Sequence, residues 1–214
     1  MHPWKQIIYY DFDKDMTKGL LSKIIRKCEK SMCKVRGIVC DMGNKILLRQ
    51  LGVNQRKMSY WFPNPSDSTR YVYIFPDMPH CLKLLRNHTL DEGIVVRYGN
   101  KTIELSKEHF EKLLAFDGTD FKLAYKVTPA HLEVRGIERQ RVRPAMQLFS
   151  NSVSQAFIQV FGTEYQDQAK VIQIVDDWVD VMNSGSAYNV KELRCGLGKM
   201  SAFIYYQDLL DKLL

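Results

Sequence analysis

Long apolar runs are absent from this 214-residue chain. A membrane-spanning helix needs about 20 predominantly apolar residues, so none is expected. The opening Met1-His-Pro-Trp-Lys-Gln has neither the charged nor the apolar segment of a secretory signal, and none is expected there either. Cysteine is sparse and unpatterned. Cys28, Cys33, Cys40, Cys81 and Cys195 are odd in number and form no Cys-x-x-Cys pair, which argues against a disulfide framework and for reduced thiols inside the cell. The five histidines share no ligand spacing with them, which argues against zinc. Gly196-Leu-Gly-Lys-Met-Ser lacks the earlier glycine and the Ser/Thr directly after lysine that a phosphate-binding P-loop requires. Glycine and proline number only 12 and 7, while 45% of residues are hydrophobic and 11% aromatic, which excludes a collagenous, low-complexity or disordered chain.

What the chain does have is an asymmetric charge. The net +7 sits entirely in the front: residues 1–100 hold 17 Lys+Arg against 9 Asp+Glu, and the remainder 14 against 15. A basic half suggests a polyanionic partner, most often nucleic acid, or else a solvated basic face. The pattern of elements changes along the same axis. Lys5–Phe12 is β-branched and aromatic and predicts a strand. Thr17 to Lys34 predicts a helix with Thr17 as its cap, followed by a strand over 35–40 and a short helix over 45–51. Pro63, Pro65 and Ser66–Thr69 predict a loop, 71–75 a third strand, and 77–88 a helix opened by Asp77 and Pro79. This alternation is an α/β pattern with parallel pairing. A hairpin follows over 93–105, turning at Gly99-Asn100. Helices are then predicted near 107–116, 140–162, 164–184 and 199–214. The chain is therefore read as α/β followed by α, divided near residue 92.

Several side chains sit where chemistry is possible. Asp41 ends a strand before Gly43-Asn44, the sheet edge at which ligands bind, and a carboxylate there suits Mg²⁺; it equally suits a turn. His80, Lys83 and Arg86 share one helical face, either a phosphate-tracking strip or a solvated charged one. Arg135, Arg139, Arg141 and Arg143 form a basic run with Lys126 upstream. Asp180 and Asn183 lie at i, i+3 on a helix whose other face is Ile172, Val175, Val179 and Met182. They read either as donors and acceptors for a purine edge or as ordinary polar positions.

Five blocks together resemble the P element transposases: Trp4-Lys-Gln-Ile-Ile-Tyr-Tyr-Asp-Phe-Asp, Gly37-Ile-Val-Cys-Asp-Met-Gly-Asn, Phe75-Pro-Asp-Met-Pro-His-Cys-Leu-Lys-Leu-Leu-Arg-Asn-His, Gln147-Leu-Phe-Ser-Asn and Asp177-Trp-Val-Asp-Val-Met-Asn-Ser. The resemblance implies an incomplete RNase H-like sheet with flanking helices over residues 1–90. It implies a GTP-binding, mostly helical insertion over 91–214. That family cuts and joins DNA at transposon ends with two metal ions on an Asp-Asp-Glu triad. Asp41 matches its second Asp, as catalytic residue and Mg²⁺ ligand. The first Asp and the Glu fall outside the chain, as do the family's zinc-coordinating DNA-binding domain and coiled coil. The resemblance assigns GTP contacts to Lys126, Arg141 (a lysine in the family), Val142, Asp180 and Asn183, with GTP serving as a positioning ligand that is not hydrolysed. It also implies a nuclear protein.

Three readings follow. The first is a transposase-derived fragment that binds GTP and DNA and does not cleave alone, since one Asp cannot assemble a two-metal site. The second is part of a longer, active transposase. The third is a non-catalytic interaction protein, such as a repressor that pairs with full-length transposase and blocks assembly; a homo-oligomer is a further candidate partner state. Strand cleavage by the purified chain, sequencing of the full transcript, and pull-down of a full-length relative separate them.

Overall fold

The computed structural model describes residues 6–12, 14–41, 43–54, 57, 59–116, 122–185, 189 and 191–195. The chain divides into two compact units, Met1–Asp77 and Met78–Leu214. The division therefore falls before the helix that follows the third strand, whereas the sequence drew it after that helix.

In the first unit, the Thr17 hydroxyl accepts the Leu20 N–H at 3.2 Å and opens helix α1 (Lys18–Lys30). Leu21 and Ile25, one turn apart, are its buried residues, and Lys27 and Lys30 lie in the last turn at the negative end of the helix dipole. The helix stops short of Lys34, because Met32 takes a left-handed backbone (φ 64°). Strand β1 (Gly37–Cys40) runs parallel to β3 (Asp67–Pro76), with Gly37 opposite Tyr73. A side chain at position 37 would meet the Phe75 ring at 2.9 Å and displace it, which favours glycine there. Helix α2 (Lys45–Gln50) is capped by Asn44, which accepts the Leu47 N–H at 2.9 Å.

Strand β2 (Trp61–Asn64) pairs antiparallel with β3, giving the order β1-β3-β2. The expected loop around Pro63 is thus an edge strand and a hairpin turn; an edge tolerates a residue without an N–H. Parallel pairing holds for β1 with β3 alone. Leu21, Ile25, Leu51, Phe62, Val72 and Ile74 form the core of this unit. The strand expected over Lys5–Phe12 is not seen in its described part. Residues 6–12 are irregular, with Ile7, Ile8, Tyr10 and Phe12 exposed. β-propensity measures fit to a half-buried pleated surface, and these residues have no such surface here.

The second unit opens with helix α3 (Met78–Asp91), whose Leu82 is fully buried in this unit's core. Strands β4 (Ile94–Tyr98) and β5 (Lys101–Leu105) form the expected hairpin, and Gly99 supplies the positive φ of its turn. Helix α4 (Lys107–Phe116) matches its expected bounds. Short 3₁₀ turns at Pro129–His131 and Gly136–Gln140 lead into α5 (Val142–Leu148), α6 (Asn151–Phe161) and α7 (Gln166–Met182). The single helix expected over 140–162 is therefore two. Phe149 leaves the helical path to pack edge-on against Phe110 at 6.4 Å, and the Ser150 hydroxyl donates back to the Gln147 carbonyl at 2.8 Å. A last 3₁₀ turn, Glu192–Cys195, packs on α7. The helix expected over 199–214 lies outside the described residues. Among the described residues no helix is long and apolar enough to cross a membrane, and no disulfide joins the cysteines.

Candidate functional site

The last two turns of α7 carry the most constrained polar cluster in the second unit. Amphipathic spacing turns Ile172, Val175 and Val179 into the core, which leaves Asp176, Asp177 and Asp180 along one flank. Asp180 is only 4% exposed. Its Oδ2 accepts from Lys191 Nζ at 2.8 Å, and its Oδ1 from Arg194 Nε at 2.7 Å and Nη2 at 2.6 Å. A carboxylate this deep requires such pairing. Asp176 lies above the usual carboxylate range, first because it is buried and then because Asp180 is beside it. Asn183 ends α7. Its backbone N–H donates to the Val179 carbonyl at 3.0 Å, and the residue is exposed.

Arg141 and Val142 lie at the junction of the Gly136–Gln140 turn with α5. The Arg141 guanidinium is solvent-facing, 3.3 Å from Glu138. Beneath this junction sits Arg86 of α3, which is fully buried. Its Nη1 donates to the Arg141 carbonyl at 3.1 Å. Its Nη2 donates to the Arg139 carbonyl at 2.7 Å and the Glu138 carbonyl at 3.4 Å. Nε and Nη2 both reach Asn87 Oδ1, at 3.1 and 2.9 Å. The phosphate-tracking face expected of Lys83 and Arg86 is thereby corrected. Lys83 reaches Gln140 at the surface, while Arg86 turns inward because its spacing from Leu82 and Thr89 puts it on the buried stripe. Lys126 is exposed at the end of a turn and lies over the Tyr125 ring, 5.1 Å from its centre.

Among the described residues no hydrogen bond or ion pair joins Lys126, Arg141, Val142, Asp180 and Asn183 to one another. All five belong to the second unit. Lys191 and Arg194 were not singled out by the sequence, and Arg86 was singled out only as part of an exposed basic face, not as a buried residue beneath Arg141. The first two lie in a polar stretch without periodicity. The third carried a signal in its helical spacing.

In the first unit, Asp41 follows β1 and accepts the Gly43 N–H on Oδ1 at 3.0 Å, an Asx turn. It borders an apolar cavity of about 460 Å³ lined by Tyr9, Met16, Ile38 and Leu47 among others. Among the described residues no three His, Cys, Asp or Glu side chains come together. The described residues around Asp41 do not by themselves supply the ligands of a two-metal centre.

A family model described as "TNP-like, GTP-binding insertion domain" matches residues 79–194. The Drosophila melanogaster protein named "Transposable element P transposase" is 32% identical over 189 residues, which is 85% of this chain and 24% of that protein. The solved "Drosophila P element transposase strand transfer complex" superposes with a TM-score of 0.85 at 27% identity, over 98% of this chain and 48% of the matched one. The chain thus spans about a quarter of the length of its Drosophila relative. The match to that relative and to the insertion-domain model place it: the chain belongs to the P element transposase family.

Proposed function

We propose that the second unit binds GTP, with Asp180 reading the guanine edge beside Asn183, and Lys126, Arg141 and the Val142 amide serving the phosphates. The observation that carries this reading is the pairing at Asp180. The Arg194 guanidinium offers this nearly buried carboxylate adjacent N–H donors in one plane. A guanine offers the same from N1–H and its N2 amine. Adenine offers an acceptor at N1, which a carboxylate repels. A site built around such a carboxylate discriminates by what it would leave unpaired. Arg141 suits phosphate through its planar fork, and its solvent-facing position leaves it accessible.

In the same proposal GTP is a bound ligand that positions the insertion for work on DNA. The first unit is part of an RNase H-like domain and handles DNA in the nucleus. Its residues 1–77 carry 14 Lys+Arg against 7 Asp+Glu, a balance that favours a polyanion. Asp41 stands at the position of a family carboxylate. Since the described residues around it do not by themselves supply a metal centre, the proposal gives it no catalytic step.

Calorimetry with GTP and ATP tests the nucleotide reading. GTP is expected to bind at least about a hundredfold more tightly than ATP, and Asp180→Ala to abolish the difference. Lys126→Ala is expected to weaken GTP and ATP by a similar factor. Equal binding of the two nucleotides, or binding indifferent to both substitutions, overturns the site.

A further inference from the structure

Arg86 is the largest fully buried side chain of the described structure, and it carries a charge. Among the described residues no carboxylate lies within ion-pairing distance of it. The charges that act on it, Arg139 and Glu138, are of opposite sign. A guanidinium held this way costs stability unless fixed acceptors surround it. The acceptors here are the backbone carbonyls of Glu138, Arg139 and Arg141, at the C-terminal end of a 3₁₀ turn and the peptide after it, together with Asn87 Oδ1. A peptide unit is planar and trans, so a carbonyl and the following N–H point in opposite directions. With the Arg141 carbonyl drawn inward onto Arg86, the Val142 N–H is aimed away from it.

We infer that Arg86 is a positioning residue for nucleotide binding: from beneath, it sets the peptide between Arg141 and Val142, and so the aim of the groups that meet the phosphates. The inference rests on the nucleotide reading above and deepens it. Arg86 touches no ligand itself. Its fork fixes three carbonyls at once, a geometry that an ammonium cannot reproduce. The adjacent Asn87 holds the fork in its plane.

The test uses the full chain. Arg86→Lys keeps the charge and loses the fork; Asn87→Ala keeps the guanidinium and loosens it. Affinities for GTP and for guanosine are measured by competition against a fluorescent GTP analogue, alongside hydrogen exchange of the amides over residues 138–143. For Arg86→Lys, GTP affinity is expected to fall about tenfold while guanosine, which lacks phosphates, changes by less than about twofold. Exchange at 138–143 is expected to quicken while that of α7 does not change. In an Arg141→Ala background the loss caused by Arg86→Lys is expected to shrink, because the two act through one segment. Asn87→Ala is expected to move GTP affinity in the same direction by a smaller factor. It supplies the answer should Arg86→Lys not fold. If GTP and guanosine weaken together, or if the folded variants bind GTP as the wild type does, Arg86 has no positioning role. If the wild type binds no GTP, the nucleotide reading falls and takes this assignment with it.

Discussion

At the scale of single residues, the proposed reading of guanine turns on the state of Asp180. Both its oxygens are engaged, by Lys191 on one side and Arg194 on the other. A guanine that takes this carboxylate must displace Arg194. The apparent affinity is therefore the intrinsic one reduced by the fraction of molecules in which Asp180 is open. Arg194→Ala removes the competitor and is expected to tighten GTP binding by up to about tenfold, with ATP unaffected. Lys191 remains to satisfy the second oxygen, so the buried charge is not orphaned. A titration in which Arg194→Ala weakens GTP would make Arg194 part of the nucleotide's own shell instead. The same residues show what a sequence discloses about a site. The three-residue spacing of Asp180 and Asn183 on a helix suited ordinary polar positions as well as a purine edge, and it was the family resemblance that singled them out. Arg194 carried no such signal, because its partner lies in a different element and the chain between them has no periodicity.

At the scale of elements, the join between α1 and β3 depends on one charged network. Arg70 of β3 donates to Glu29 of α1 at 2.7 Å and to Asp67 at 2.8 Å, and Asn64 adds a bond to Glu29 at 2.8 Å. The Arg70 hydrogen bond is the chief cause that holds Glu29 down at about 2, against an ordinary 4.5. Asp67 lies at about 2 against 3.8, through the Thr69 hydroxyl first and Arg70 next. Carboxylates depressed on folding stabilise the native state in full above their ordinary values and lose that contribution as pH falls toward the native ones. The first unit is therefore expected to melt at progressively lower temperature as pH drops from about 5 to about 2. Glu29→Gln is expected to flatten that dependence. Parallel melting curves for wild type and variant across this range would show that the network does not couple helix to strand.

The legibility of the elements follows from what enforces each. The β4–β5 hairpin was readable because Gly99-Asn100 is turn chemistry written locally. Strand β2 was not, since Pro63 argues against a strand everywhere except at an edge, and edge position is a property of the sheet. The break between α5 and α6 was hidden for a similar reason. What turns Phe149 inward is the aromatic partner Phe110 on another helix, which local periodicity cannot report.

At the scale of the whole molecule, the chain carries two separate cores. Leu21, Ile25, Leu51, Phe62, Val72 and Ile74 make one, and none of them takes part in the other, which runs from Leu82 through Phe110, Phe149 and Phe157 to Val179. The sequence anticipated two parts but put the seam near residue 92, after α3, because the strand–helix alternation runs through that helix and the change in charge falls at about the same place. Packing decides otherwise: Leu82 is completely buried in the second core, and Arg86 is taken up by the backbone of the Gly136–Gln140 turn. Every residue proposed to meet GTP, and the Arg86 beneath them, lies after the seam at Asp77–Met78. Residues 78–214 expressed alone are thus expected to fold cooperatively and to bind GTP within about twofold of the full chain, since the proposed contacts and the core beneath them lie within that unit. A shorter piece starting at residue 92, where composition divides the chain, lacks α3. It is expected to lose both the cooperative transition and GTP binding, because the missing Leu82 leaves a void in the core and three backbone carbonyls lose their donor. Chemical denaturation and nucleotide titration of the two pieces decide the matter. Retention of GTP binding by the shorter piece would place the functional seam at the composition boundary and leave α3 to the first unit.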